Sequence, residues 1–494
     1  MRKYILVLIM LSALSGFAQQ FTTPLVKNQY HSLSSSGQIN HFLDSLKNTS
    51  KMLQLDTAGY SVEGKPIPLV TFTKPGNPFG ENKKPFVFLF AQQHGNEPSG
   101  KEGLLLLIED LAQGRLNHVL NSVNLLLMPQ VNPDGGDLHQ RRNASDVDLN
   151  RDHLLMRAPE TRAVERIFEK YRPVVSVDIH EYYPYSDSWK EFGYRREFDI
   201  QVGTLTNPNI SDSLIHYQRE MALPYMEKHL TRMGYSFFEY TLGHFPSGER
   251  LRHSTTDIND GRQSIGITNT MSFIVEGMNG KDSTHRIRER ALSQYETAKA
   301  IIAFASKNIS GIAALVQNKR KAITKNSSDS VIIRQDHFDS DDILEYPLKS
   351  VKTGKDTVFR VDNFHNEIKA LLTVKTPRGY LIRKTDSTLV DLMRNNHFKF
   401  EEYQRKRTDV VLGQQILEMN RTKNEGLMTP YPMLMDKFLS KLDPKKYYFV
   451  PTNQLRKYKI VIAFEPRSMF GIGFYEEFSE YMKKDTLFPA IRVE

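Results

Sequence analysis

The sequence predicts an α/β fold: a mixed, largely parallel twisted sheet flanked by helices, followed by a smaller β-rich C-terminal domain. Three observations carry that reading. Apolar runs of strand length recur through the first part of the chain and stop abruptly at polar or turn residues. Stretches with helical spacing lie between them, the alternation that strand–helix–strand units with parallel strands produce. Past a polar stretch near residue 320 the texture changes to short strand-like pieces.

The elements follow in order. "MRKYILVLIMLSALSGFAQQ" has a basic start (Arg2, Lys3), an apolar run and small residues at Gly16 and Ala18, the pattern of a secretory signal peptide cut after Ala18. Ile39, Phe42, Leu43 and Leu46 fit one helix between Ser35 and Leu46. Residues 53–74 alternate in two strand-like pieces about a turn at Gly64. "KKPFVFLFAQQ" and "NSVNLLLMPQVNPDGG" (121–136) hold apolar runs of strand length that stop at polar or turn residues, with a helix, "GKEGLLLLIEDLAQG", between them. Pro159 suits the first turn of a helix over 158–172, whose Ala163, Val164, Ile167, Phe168 and Tyr171 share a face. "RPVVSVDIHEYY" (172–183) and "NTMSFIVEGMNG" (269–280) are two further strands, and a helical stretch at about 285–307 closes the unit. This divides the chain into a signal segment (1–18), a first domain (19–315), a polar linker (316–331) and a β-rich accessory domain (332–494) of unknown role.

Composition narrows the classes. The 494 residues include no cysteine, which removes disulfides, thiol nucleophiles and thiolate metal sites, so a catalytic metal would need His, Asp or Glu ligands. The formal charge of +9 is scattered, with no concentrated basic patch for nucleic acid. After the leader no run approaches the roughly 18–20 apolar residues of a membrane span. Neither a nucleic-acid partner nor a transmembrane segment is expected, and the oligomeric state is not legible.

In open α/β sheets the residues that handle ligands gather where strands end at their carboxyl edge. His94, Asn132, His180 and Glu276 each end one of the four apolar runs. His94 and Glu97, three apart on the turn after the first run, supply two ligands for a catalytic zinc, which takes three protein donors and leaves a place for water. His180 is the best third donor, with Asp178 on the same strand face. His139, His153, His244 and His253 remain alternatives in polar, loop-like contexts.

Taken together, "HGNE" (94–97), "NPDGGDLHQRRNASDVDLNRDH" (132–153) and "GYSVEGKPIPLV" (59–70) resemble the carboxypeptidase A-like zinc metallocarboxypeptidase family over about residues 35–300. The resemblance implies one Zn2+ per chain held by His94, Glu97 and His180. It makes Asp148 the partner of the first histidine's other nitrogen, and Asn150 and Arg151 the grip on the substrate's terminal carboxylate. Arg141 or Arg142 polarises the scissile carbonyl, the spacing favouring Arg141, and Arg142 then remains a substrate contact. Glu276 is the general base. The tyrosine that covers substrate in this family has no aligned counterpart; Tyr235 and Tyr240 are available, and Arg262 is a further substrate contact in that region. The implied function is an exported carboxypeptidase, periplasmic or extracellular, acting on peptides or peptide-like substrates with a free carboxylate. Two alternatives stand beside it: a zinc amidase or deacylase acting on cell-wall peptides or N-acyl amino acids, and an inactive binding module.

Overall fold

The computed structural model describes residues 22–74, 84–243, 250–325 and 330–494. The expected signal segment, 1–18, and the alternative ligand His244 lie outside them. Up to residue 325 the principal elements are α1 (Ser36–Leu46), β1 (Leu53–Tyr60), β2 (Pro66–Phe72), β3 (Phe86–Ala91), α2 (Ser99–Ala112), β4 (Asn124–Met128), α3 (Pro159–Tyr171), β5 (Val175–Tyr182), β6 (Ile200–Gly203), β7 (Phe237–Glu239), β8 (Met271–Met278) and α4 (Ile287–Lys325). The strands form one eight-stranded sheet in the order β1-β2-β4-β3-β5-β8-β6-β7. Its centre, β4-β3-β5-β8, is parallel, and β6 pairs in parallel with β7. β2 pairs antiparallel with β1 and β4, and β6 pairs antiparallel with β8. The sheet is mixed with a parallel middle, as the alternation predicts.

Both faces of that middle are covered, which is why β3 reads as an unbroken apolar run. Val87, Leu89 and Ala91 face one way, into an apolar cluster with Leu104, Leu105 and Ile108 of α2 and Ile301 of α4. Phe86, Phe88 and Phe90 face the other way, against Ala163, Val164, Ile167 and Phe168 of α3. The local signals hold as well. Ser35 and Gln38 form a reciprocal cap at the start of α1, and Gly64 takes φ +80° in the turn between β1 and β2.

The expected helix end and linker need correction. α4 does not stop near 307, and residues 316–325 are not a linker; the helix runs on to Lys325. Ile312, Val316 and Ile323 stay buried on one side while the lysines between them meet solvent, so the polar composition hid a helical stripe. Arg320 anchors this end of the helix, donating to Pro173 O at 2.7 Å and Thr270 Oγ1 at 2.6 Å beneath β5 and β8. By length and apolar composition α4 meets the criterion for a membrane span, yet it packs along α2 and buries Arg290 and Glu296 inside the protein.

The C-terminal part is β-rich. It contains a six-stranded sheet, smaller sheets, and two helices, α5 (Ser387–Asn395) and α6 (Lys457–Phe464). Leu389 of α5 and Ile460 and Phe464 of α6 belong to the same buried apolar cluster as Leu154, Leu205 and the central sheet. The two-residue strand Tyr194–Arg195, between β5 and β6, pairs antiparallel with Leu344–Ser350 of the C-terminal part.

Candidate active site

β3 delivers the chain to its carboxyl edge, where Gln92 takes φ 58° and turns it away from the sheet. His94 and Glu97 follow, and α2 begins at Ser99. Gly95 is required here by space: a Cβ on it would lie 2.1 Å from the carbonyl carbon of Gly135, in the Asn132-Pro133-Asp134-Gly135 turn packed against this loop. The turn is itself capped, Asn132 Oδ1 accepting from Gly135 N at 2.9 Å. His180 arrives from β5, and Glu276 sits beside it in register on β8.

These elements bring three donor groups to one point. His94, Glu97 and His180 are 3%, 6% and 2% exposed, and one ligand atom from each lies within 4.8 Å of the others. Glu97 Oε1 is 2.8 Å from His94 Nδ1, and its Oε2 is 2.9 Å from His180 Nδ1. On the far side of each ring a carboxylate fixes the tautomer: His94 Nε2 donates to Asp148 Oδ1 at 3.0 Å, and His180 Nε2 to Asp178 Oδ1 at 2.8 Å. With both Nε2 atoms donating, neutral rings present both Nδ1 atoms as lone pairs, and these face each other at 3.1 Å. Two lone pairs and a carboxylate converging in a buried space repel unless a cation lies between them. The electrostatics agree: burial disfavours charge on His180, yet Asp178 and Glu97 hold its pKa well above the usual imidazole value. Burial likewise opposes ionisation of Glu97, and the two imidazoles outweigh it, keeping the carboxyl well below its usual range. A His/Glu/His donor set of this kind fits zinc.

Beside the donors lies a cavity of about 310 Å³. Glu276 lines it, 7% exposed. Burial pushes its carboxyl up to about 7, with the Glu97 carboxylate adding to the shift and the His180 ring pulling against it. Arg141 and Arg151 also line the cavity. Arg141 is steadied by Asp148, Nη2 to Oδ2 at 3.0 Å. Arg142, expected as a substrate contact, is not brought there: its guanidinium turns back to donate to Asp146 O at 2.8 Å. The difference of one residue decides which arginine faces the sheet edge. Asn150 reaches the cavity with its oxygen committed to Gly261 N at 2.8 Å. Its Nδ2 lies 3.3 Å from His180 Nε2, a nitrogen already donating to Asp178, and so keeps its donors for another acceptor.

Other residues enter that motif reading did not assign. Tyr240 lines the cavity while Tyr235 packs against the apolar core, so only the first is in place to contact substrate. Arg262 is at the cavity but fully buried, donating to Thr204 O at 3.1 Å, Thr255 O at 3.2 Å and Asp260 Oδ2 at 3.2 Å, which makes it a strut of the loop it holds. Arg196 lines the cavity from the loop before β6, in a "GYRREF" stretch that offers no signal. Of the alternative ligands, His153 is buried behind the site, where its Nε2 donates to Gln93 Oε1 at 2.8 Å. Gln93 Nε2 in turn donates to Asp178 at 2.8 Å. The chain of contacts continues outward: His153 Nδ1 is 3.3 Å from Glu165, and Glu165 is held by Arg456 at 3.3 Å and Lys459 at 3.7 Å, at the start of and within α6. The first histidine-bearing strand is thus linked through buried polar groups to the C-terminal part.

A His-x-x-Glu pair and a distal histidine meet at the carboxyl edge of a mixed sheet, beside a buried glutamate, as a donor set that could hold a metal ion. Comparison with known proteins points to a class. A family model described as zinc carboxypeptidase matches residues 39–156, a span that holds His94, Glu97, Arg141, Asp148, Asn150 and Arg151 and ends before His180 and Glu276. Carboxypeptidase 2 of Trichophyton rubrum is 26% identical over 482 residues, covering 92% of this chain and 87% of that one. Probable carboxypeptidase 2 of Trichophyton verrucosum is 26% identical over 343 residues, covering 65% of this chain and 63% of the other. Among solved structures, carboxypeptidase A from Helicoverpa armigera matches with a TM-score of 0.44 and 15% identity, over 57% of this chain and 75% of that one. The chain is thus similar to zinc carboxypeptidases over residues 39–156, and to proteins named carboxypeptidase along most of its length.

Proposed function

We propose that this protein is an exported, zinc-dependent carboxypeptidase that removes the C-terminal residue of peptides, with one zinc held by His94, Glu97 and His180 and with Glu276 as general base. The observation that carries it is the pair of Nδ1 lone pairs converging on Glu97, each ring fixed by its own aspartate, next to a buried glutamate in a cavity. Zinc bound there would supply Lewis acidity to water and to the scissile carbonyl.

The chain's own residues do the rest. Arg151, with the free donors of Asn150, binds the terminal carboxylate, a planar guanidinium being suited to two parallel hydrogen bonds. That places the last peptide bond at the mouth of the donor set. Glu276 takes a proton from the attacking water as it adds to the carbonyl carbon, and returns one to the leaving amine nitrogen as the C–N bond breaks. Arg141 donates to the oxygen that gains negative charge; a donor of this kind is worth about 3–4 kcal/mol. Tyr240 closes the cavity over the bound residue. Export rests on the leader pattern of residues 1–18, and N-terminal sequencing of the mature protein checks it.

The test is hydrolysis of N-blocked dipeptides and wall-derived peptides by wild type and Glu276→Gln, with zinc and with chelator. Expected is release of a single C-terminal amino acid from plain peptides that needs zinc, and a fall in kcat of about 10²–10⁴-fold in the variant at unchanged zinc content. Cleavage confined to wall-derived peptides would move the reading to a wall amidase.

A further inference from the structure

Apart from Glu276, the charges lining the cavity pair off, with two exceptions. Glu97 belongs to the donor set. Glu181 is held by Arg290 at 2.9 and 2.7 Å and by Ser99 N at 2.9 Å. Asp260 is taken by Arg262, and Arg141 by Asp148. Two guanidiniums remain with no carboxylate at ion-pair distance among the described residues. Arg151 donates Nη1 to Asn150 O at 2.7 Å, and Arg196 donates Nη1 to Thr241 O at 2.8 Å. Its neighbour Arg195 takes the nearby Glu197, at 2.9 Å, so that carboxylate is spent elsewhere.

Arg196 is also held as a fixed donor. Its guanidinium lies over the ring of Tyr182 at 4.8 Å and near that of Trp189 at 6.0 Å. The Tyr182 hydroxyl donates to Phe198 O at 2.7 Å and accepts from Phe198 N at 2.8 Å, which pins the loop that carries Arg196. Its Nε is buried with no hydrogen-bond partner, an arrangement that natural structures keep for a reason. The cavity places it close to the chemistry: Arg196, Arg151, Tyr240 and Glu276 line the same space.

A peptide ending in a neutral residue brings one carboxylate to these two cations. One ending in glutamate or aspartate brings two. We propose that Arg196 is the specificity-determining residue of this enzyme, binding the side-chain carboxylate of an acidic C-terminal residue while Arg151 holds the α-carboxylate. The inference rests on the carboxypeptidase reading above and narrows its substrates to peptides with C-terminal glutamate or aspartate. A fixed, half-buried guanidinium rewards a charged acceptor and penalises a side chain that leaves it unpaired.

The experiment measures kcat/KM for four N-blocked dipeptides that differ only in the last residue: Glu, Gln, Leu and Lys. Wild type should prefer Glu over the isosteric Gln by at least about 30-fold, the ratio that one unpaired, half-buried charge produces. In Arg196→Gln that ratio should fall to within about threefold of unity, and in Arg196→Lys it should be intermediate. Zinc content and the thermal midpoint of each variant establish that it is folded. Product inhibition of wild type gives a second readout that needs no variant: free glutamate should inhibit more tightly than free glutamine. A wild-type Glu/Gln ratio near one, a preference that persists in Arg196→Gln, or equal inhibition by the two amino acids would each overturn the proposal while leaving a carboxypeptidase. No cleavage of any of the four by the zinc-loaded enzyme would overturn the function and the specificity together.

Discussion

Asp148 and Asp178 each accept from the outer nitrogen of one histidine, and neither reaches the point where the donors converge. Their effect is therefore on orientation. Asp178→Asn keeps the shape but ends the requirement that His180 present Nδ1 as a lone pair, and zinc affinity should drop about 10–100-fold, read by competition with a chromogenic chelator. Glu276 gives a pH dependence. As a base it works only when deprotonated, and burial has raised its pKa from 4.5 to about 7. A divalent cation at the neighbouring donors pulls that value down again, so the acid limb of kcat/KM falls between those two values, and activity is lost as pH drops through it. A profile flat across that interval would remove Glu276 from the role. At this scale the grouping of candidate donors was legible, because His94, His180 and Glu276 each end an apolar run and their order resembles a family pattern. Arg196 was not, since it reaches the cavity by the path of a loop that carries no motif, and Tyr240 could not be told from Tyr235. Nor was the choice between Arg141 and Arg142, which turns on one residue of backbone direction.

The helix α4 shows how an element can be misread while its neighbours are read well. The central strands and α3 announce themselves through period and burial, and their boundaries in the sequence match those in the fold. The last turns of α4 hold "QNKRKAITK", whose polarity looks like a linker, because Ile323 is its one buried position and Arg320, half-buried, is the other residue anchored inward. An arginine facing inward does not register as part of an apolar stripe. The two readings differ in protease sensitivity. Lys319, Arg320 and Lys321 should resist trypsin in the native protein, since cleavage requires unfolding of a local segment that is anchored under the sheet, whereas a linker would be cut within minutes. Peptide mapping after a timed digest distinguishes them.

Across the whole molecule, the C-terminal part shares the core of the first part and supplies the outermost members of the buried polar chain that ends at His180. We propose that it serves as a brace for the metal centre, in place of the separate accessory domain that its composition suggested. Lys459 is fully buried, donating to Ser264 Oγ at 2.9 Å beside Glu165. Lys459→Met should cost about 3 kcal/mol in urea unfolding, the low end for breaking a buried ionic group because Arg456 still pairs with Glu165. It should also weaken zinc binding severalfold at unchanged KM. A variant that lost stability but kept its zinc affinity would show the brace to be structural only. None of this was legible in the sequence: Gln93, His153, Glu165 and Lys459 are spread over more than half the chain and no local pattern joins them.

The strand pairing between Tyr194–Arg195 and Leu344–Ser350 has an evolutionary corollary. Val351 N donates to Gly193 O at 2.9 Å, so the turn that closes this C-terminal hairpin is stitched to the residues just ahead of Arg196. Insertions, deletions and substitutions accumulate fastest in exposed turns, where they disturb the core least. A lineage could thus drift in residues 351–355, which include none of the candidate site residues, and re-aim the loop over the cavity. Selection for a new diet of peptides would then have a tuning peg that is separate from the chemistry, and a small library of hairpin turns would be the place to look for altered appetite.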